Sequence, residues 1–269
     1  MPQSLRGKVV LITGASSGFG ADAARLFAKE GCRVILSARR MNRLQEVAEE
    51  IVQAGGDATI IQLDVTEASQ IEEVVQTVVD NYGRIDILFN NAGYGRLDWL
   101  ENQDIAQDIN VQIAVNLTGL IQTTRIILPY MIRQRSGHII NMSSVAGWVA
   151  PPLYSIYAAT KYGVRAFTES VRREVRHLGI QVSGIYPGGA TTEFSQHTGN
   201  PITKLNLKLP KWINMTSEYV ARKVVSIAKR PRPTVIIQWW MVLAIFITSH
   251  FPRLTDWVLG QFAKKSHQV

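Results

Sequence analysis

The sequence predicts an α/β domain built on a doubly wound parallel sheet of about seven strands, with helices on both faces. Short runs that are predominantly apolar, such as Val9–Ile12 and Cys32–Ala38, recur along the chain, as strands covered on both faces require. Between them lie stretches whose apolar residues fall at helical spacing. A strand, a helix and a next strand in this order form a crossover with a strongly preferred right hand.

Lys8–Thr13 reads as the first strand, and Gly18–Glu30 as the first helix, with Ala23, Ala24, Phe27 and Ala28 at helical spacing. Cys32–Ala38 is the second strand, Leu44–Gln53 an amphipathic helix and Ala58–Leu63 the third strand. Ile71–Asn81 places Ile71, Val74, Val75, Val78 and Val79 on one helix face. Ile85–Phe89 is the fourth strand, and a long helix spans roughly Val111–Pro129. His138–Met142, Gln181–Tyr186 and Val235–Ile237 supply the fifth to seventh strands, with a helix over Tyr154–His177. Such an order is that of a Rossmann sheet. Gly189–Trp212 lacks periodicity and reads as a loop beside the site, with a substrate loop over about 189–215.

The chain has 269 residues, 46% apolar and 19% charged, enough to bury a substantial core in one domain over 1–238. Cys32 is the single cysteine, which rules out an intrachain disulfide and suits a reducing, cytoplasmic setting. The five histidines are scattered, so no metal site is expected, and no GxSxG elbow supports a hydrolase. The net charge of +8 is dispersed and carries no nucleic-acid motif, so no nucleic-acid partner is expected. The N-terminal apolar run is too short for a signal peptide.

The tail over 239–269 is apolar from Trp239 to Ile247 and again at Leu254, Trp257, Val258, Leu259 and Phe262, before Lys264 and Lys265. Nine residues are too few to span a bilayer, which takes about 20. An interface with another subunit, peripheral membrane contact through 239–265, or a cap on the domain's own pocket are the three expectations.

Thr13-Gly14-Ala15-Ser16-Ser17-Gly18-Phe19-Gly20 joins the first strand to the first helix. Glycines there permit a tight turn and a close backbone approach, and the helix N-terminus offers free N–H groups to a pyrophosphate. The second strand ends Ser37-Ala38-Arg39-Arg40, with no carboxylate where an NAD-binding sheet needs one for the ribose 2′-hydroxyl. A guanidinium binds a 2′-phosphate there instead, so Ser37, Arg39 and Arg40 predict NADP(H) over NAD(H). Asp64, at the end of the third strand, is expected at the adenine edge or as a turn residue.

The chain resembles the compact, one-domain form of the short-chain dehydrogenase/reductase family over roughly residues 5–195. Thr13–Gly20 matches its TGxxxGxG turn, Asn90-Asn91-Ala92-Gly93 its NNAG motif, and Tyr157-Ala158-Ala159-Thr160-Lys161 its YxxxK motif. Asn116 is similar to the family's helix asparagine; Ser143 and Ser144 close the fifth strand; Pro187, Gly188 and Thr192 resemble the segment over the nicotinamide.

The four-residue step puts Tyr157 and Lys161 one helical turn apart. A phenol with a pKa of about 10 is a weak base at neutral pH, and a nearby ammonium is expected to lower it. The resemblance implies that Tyr157 exchanges the proton of a carbonyl or alcohol, and that Lys161 also holds the nicotinamide ribose. It further implies that Ser144 polarises the substrate oxygen and that Asn116 holds a water leading to Lys161. Asn91 and Gly93 are implied at the adenosine side and Thr192 at the carboxamide, with Gly14, Ser16, Ser17, Gly18, Phe19, Gly20, Val65, Ala92, Pro187 and Gly188 completing the cofactor contacts. A homodimer or homotetramer is the family expectation. A non-catalytic NADP(H) sensor or scaffold of the same fold is the alternative, and a lyase or epimerase that borrows the cofactor is a third.

Overall fold

The computed structural model describes residues 2–191, 193, 194, 198 and 215–266. Its elements run β1 (Val9–Thr13), α1 (Gly18–Lys29), β2 (Arg33–Ala38), α2 (Met41–Gln53), β3 (Asp57–Gln62), α3 (Ala68–Tyr82) and β4 (Ile87–Asn90). Then follow α4 (Ile105–Gln134), β5 (Gly137–Met142), α5 (Ser155–Val175) and β6 (Ile180–Tyr186). The last elements are β7 (Ala190–Thr191), β8 (Met215–Thr216), α6 (Ser217–Lys229), β9 (Thr234–Ile236), α7 (Met241–His250) and α8 (Pro252–Ser266).

The main sheet has seven strands in the order β3-β2-β1-β4-β5-β6-β9, and every pair is parallel. The order reverses direction between β1 and β4, and such a switch point opens a crevice at the strands' C-terminal ends. β7 and β8 form a separate parallel pair.

β1 shows why the strands are apolar on both sides. Val10 and Ile12 join a core with α1, α2 and α6, while Val9 and Leu11 join the opposite core with α3, α4 and α5. Each helix buries one stripe: Ala23, Ala24, Phe27 and Ala28 of α1, and Ile71, Val74, Val75 and Val78 of α3. At the N-terminal edge of β4, buried Asp86 accepts from Lys8 Nζ (2.9 Å), Arg84 (2.6 Å) and Val9 N–H (3.0 Å), tying the starts of β1 and β4 together.

Most element bounds agree with the sequence reading to within three residues. α4 differs: it begins at Ile105, because the Asp104 carboxylate caps it by accepting from Gln107 N–H at 2.7 Å. It also runs through Pro129 to Gln134, with Ile127 and Met131 buried on the core side to hold its last turns. Its hydrogen bonds widen to a π-helical pattern over Ile105–Asn110 and again over Ala114–Thr118. The helix α6 was not expected from sequence. Thr216 Oγ1 caps it by accepting from Tyr219 N–H, and it buries Val220, Ala221, Val224, Val225, Ile227 and Ala228 against α1 and the sheet.

The tail forms two short helices, α7 and α8, packed on each other. Ile245 is the buried contact of α7, whereas Trp239 is 83% exposed and Leu243 64% exposed. Phe246, Phe251, Leu254 and Trp257 are exposed beside them. α7 has ten residues, half of what a spanning helix needs.

Candidate active site

The glycine turn sits at the switch point. Gly14 adopts φ +66°, and a Cβ there would lie 2.7 Å from Ala92 Cα, so β4's continuation presses directly on the turn. The Asn91 carboxamide donates to the carbonyls of Thr13 (3.1 Å) and Gly14 (3.0 Å). In return Thr13 Oγ1 accepts from the N–H groups of Asn91 and Ala92, each at 3.1 Å. A Cβ at Gly20 would meet that carboxamide at 2.5 Å. Asn91, expected at the adenosine, is thus engaged in holding the turn. Ser17 is the N-cap of α1 without making a capping hydrogen bond, so the first-turn N–H groups of α1 face the crevice free of a side-chain cap.

Beside the turn, the residues at the end of β2 part company. Ser37 is fully buried and its hydroxyl has no partner, so the structure does not bring it to the surface of the crevice. Arg39 is 69% exposed, with Nη1 3.8 Å from Asp64 Oδ2. The other Asp64 oxygen accepts from Thr66 N–H (3.0 Å) and hydroxyl (2.8 Å), which makes Asp64 a turn former, and Val65 packs buried behind it. Arg40, not Arg39, reaches the glycine turn: its Nη2 lies 3.2 Å from Ser16 Oγ and 2.9 Å from Ser17 Oγ. The same nitrogen donates to the Glu193 carboxylate at 3.0 Å. That carboxylate is held below the usual range by its hydrogen bonds to Arg40 and Ser17. A dianionic phosphate suits a place that already accommodates a carboxylate.

The groups expected to handle a proton gather where β5, α4 and α5 meet. Lys161 and Tyr157 stand one turn apart on α5, both buried, with Lys161 Nζ 5.6 Å from the centre of the Tyr157 ring. Lys161 Nζ donates to Met142 O at 3.1 Å. Burial drops its pKa to about 8. Burial also pushes the Tyr157 phenol well up, only partly offset by its hydrogen bond to Ser144. The expected lowering by Lys161 is therefore not what governs the phenol in this structure; desolvation outweighs it. Ser144 Oγ also accepts from Ala146 N–H at 3.1 Å, whereas Ser143 Oγ is spent on Lys161 O at 3.1 Å. Ser144 Oγ donates only at long range, to Pro187 O at 3.5 Å, and is the serine that reaches Tyr157.

Asn116 lies in the second π-helical stretch of α4 and is buried. Its carboxamide accepts from Tyr94 N–H (2.8 Å) and donates to Tyr94 O (2.7 Å) and Thr160 Oγ1 (3.2 Å). Gly93 sits under it, where a Cβ would lie 3.6 Å from Asn116 Oδ1. Pro187 O accepts from Val145 N–H at 2.9 Å, which docks the segment after β6 onto the end of β5. The Gln238 side chain fills the space beside Gly188. Thr192, expected at the carboxamide, lies outside the described residues.

Three neighbours of Tyr157 were not singled out from sequence. Phe194 packs on it with ring centres 5.7 Å apart, Tyr154 at 6.1 Å, and Leu97 joins the same small apolar cluster. Leu153, just before α5, is buried at φ +72°, a conformation that a leucine adopts only under constraint.

The sequence profile of the short chain dehydrogenase family matches residues 8–202. The chain belongs to that family. It is 41% identical over 192 residues to a 3-oxoacyl-[acyl-carrier-protein] reductase of Thermotoga maritima, covering 71% of this chain and 78% of the relative. A metagenomic short-chain oxidoreductase solved with NADP is 31% identical at a TM-score of 0.74, covering 87% of this chain and 98% of that one. A short chain dehydrogenase/reductase of Burkholderia phymatum solved with NAD superposes at a TM-score of 0.85 and 24% identity, covering 94% and 96%, and is a likeness of fold. The protein is accordingly an oxidoreductase of this family with a site for a nicotinamide cofactor.

Lys161 tests the electrostatics independently of turnover. Its pKa is lower folded than unfolded, so its burial penalty is complete below pH 8 and fades as pH rises towards 10.5. Lys161→Met is expected to raise stability at pH 7 by roughly 1–3 kcal/mol, measured by urea unfolding. The gain should shrink between pH 8 and 10.5, and a loss of stability at pH 7 would contradict the assignment.

Proposed function

We propose that this chain is an NADP(H)-dependent oxidoreductase that moves a hydride between nicotinamide and a carbonyl or secondary alcohol. The observation that carries this reading is the pairing of Tyr157 with Ser144 and Lys161 at the crevice whose other end is the glycine turn with Arg40.

Nicotinamide, when bound, supplies or accepts the hydride. The chain's own residues do the rest. Gly14, Gly18, Phe19, Gly20 and the N-terminus of α1 receive the pyrophosphate, while Ser16, Ser17 and Arg40, with Arg39 at the rim, hold the 2′-phosphate. Ala92, Gly93, Pro187 and Gly188 line the path between the two ends. Ser144 donates to the carbonyl oxygen and aligns it with the Tyr157 hydroxyl. Tyr157 exchanges the proton with that oxygen, giving it up in reduction and taking it back in oxidation. Lys161 places positive charge beside the phenol and favours its ionised form as the proton leaves. Asn116 keeps α4 open at its π turn, where a water can lead to Lys161.

The walls around Tyr157 support a lipophilic substrate, since Leu97, Ala146, Ala158, Tyr154 and Phe194 are all apolar or aromatic. A non-catalytic sensor would need none of the Tyr157, Lys161 and Ser144 arrangement, so that alternative is not favoured. Tyr157→Phe is expected to cut turnover at least ~100-fold. The affinity for NADPH, read by fluorescence titration, should stay within about twofold. Retained turnover would remove Tyr157 from its role.

We also assign the exposed side of α7 and α8 to contact with a second copy of this chain. Trp239, Val242, Leu243, Phe246, Phe251, Leu254, Trp257 and Val258 are all exposed on these two helices and the approach to them, and a run of large apolar side chains left in water is the kind of surface a partner covers. Removal of residues 252–269 should lower the oligomeric state in analytical ultracentrifugation. An unchanged state, with binding of the full chain to anionic vesicles, would give this face to a membrane instead.

A further inference from the structure

The segment after β7 touches both ends of the crevice at once. At one end Glu193 pairs with Arg40 Nη2 at 3.0 Å, and hydrogen bonds to Arg40 and Ser17 hold its carboxyl below the usual carboxylate range. At the other end the next residue, Phe194, lies against Tyr157 with ring centres 5.7 Å apart and planes tilted by 49°. The contact is braced by the backbone: Thr198 N–H donates to Phe194 O at 3.2 Å, and Leu97 N–H donates to Thr198 O at 2.8 Å. Gly95 makes room for it, since a Cβ there would fall 3.1 Å from Phe194 Cε2 and closer still to the ring tip.

Arg40, Ser16 and Ser17 are the groups to which the preceding section assigns the cofactor's 2′-phosphate, and the present inference rests on that assignment. One guanidinium nitrogen cannot serve a carboxylate and a phosphate in full, and the two anions repel each other at this distance. Consecutive Cα atoms are only about 3.8 Å apart, so a shift of Glu193 away from Arg40 is passed to Phe194. We propose that Glu193 is a tethered anionic competitor for the phosphate clamp, and that its displacement by a cofactor phosphate withdraws Phe194 from Tyr157. Glu193 is then a positioning residue that links cofactor binding to access to the proton donor. The link is reciprocal: a substrate that displaces Phe194 also favours the phosphate.

The test uses adenosine 2′,5′-bisphosphate, which carries the phosphates and no nicotinamide. By calorimetry, Glu193→Gln is expected to bind it about fivefold more tightly than the parent, the scale of one partly exposed ion pair. In an Arg40→Gln background the same substitution should bring no gain. A second arm follows Phe194→Cys by maleimide labelling, in which buried Cys32, its thiol pushed up to about 12 chiefly by burial, stays silent. Bisphosphate should speed labelling at least ~3-fold if its binding withdraws this position. Equal or weaker binding by Glu193→Gln, or labelling that is unchanged or slower, overturns the proposal and leaves the cofactor assignment standing. Failure of the parent chain to bind the bisphosphate overturns both.

Discussion

The carboxamide of Asn91 holds the mouth of the sheet in shape. Where β1 and β4 part, the backbone turns away from the sheet, and buried backbone groups without partners are costly. Asn91 donates to two carbonyls there, on Thr13 and Gly14, while the Thr13 hydroxyl accepts from the backbone of Asn91 and Ala92. A Cβ at Gly20 would strike both this side chain and Gly14 O, and one at Gly14 would strike the Ala92 backbone. With the turn locked, α1 presents its N-terminus beside Arg40.

The Tyr157 end of the crevice is built at a cost to the fold. An ammonium is buried at Lys161 with Met142 O as its hydrogen-bond acceptor, and no carboxylate forms a salt bridge with it among the described residues. Leu153 is held at positive φ, and α4 gives up regular helical bonding around Asn116. Below this end, a buried chain of amides and hydroxyls compensates. Asn90 donates to Thr124 and Asn141, and Asn141 to Thr168, each at 2.9 Å, fixing α4 and α5 to the strand ends that they flank. Strain near Tyr157 and a buried hydrogen-bonded chain beneath it are two sides of one arrangement.

The sheet was legible because a parallel strand covered on both faces must be apolar, so β1 to β6 stand out as runs such as Val9–Ile12. Tyr157 and Lys161 were legible as neighbours because the helical repeat is fixed. Other features depend on contacts that no local pattern carries. Ser37 and Arg40 lie three residues apart, yet only the pleat and the exit of the chain decide that one is buried and the other meets Ser17. The Arg40–Glu193 pair spans 153 residues, and Phe194 came from a stretch without periodicity. In α6 the signal was present, with Val220, Ala221, Val224 and Val225 at helical spacing behind a Thr216 cap, but it follows an aperiodic segment that hid its start.

The central claim, that Arg40 and the glycine turn together select a phosphorylated nicotinamide dinucleotide, is tested most directly by titrating the purified full chain with NADPH and, separately, with NADH. A charge-assisted hydrogen bond to a 2′-phosphate contributes about 1.5–3 kcal/mol, so NADPH should bind at least ~10-fold more tightly. Equal or tighter binding of NADH, or binding of neither, would contradict it.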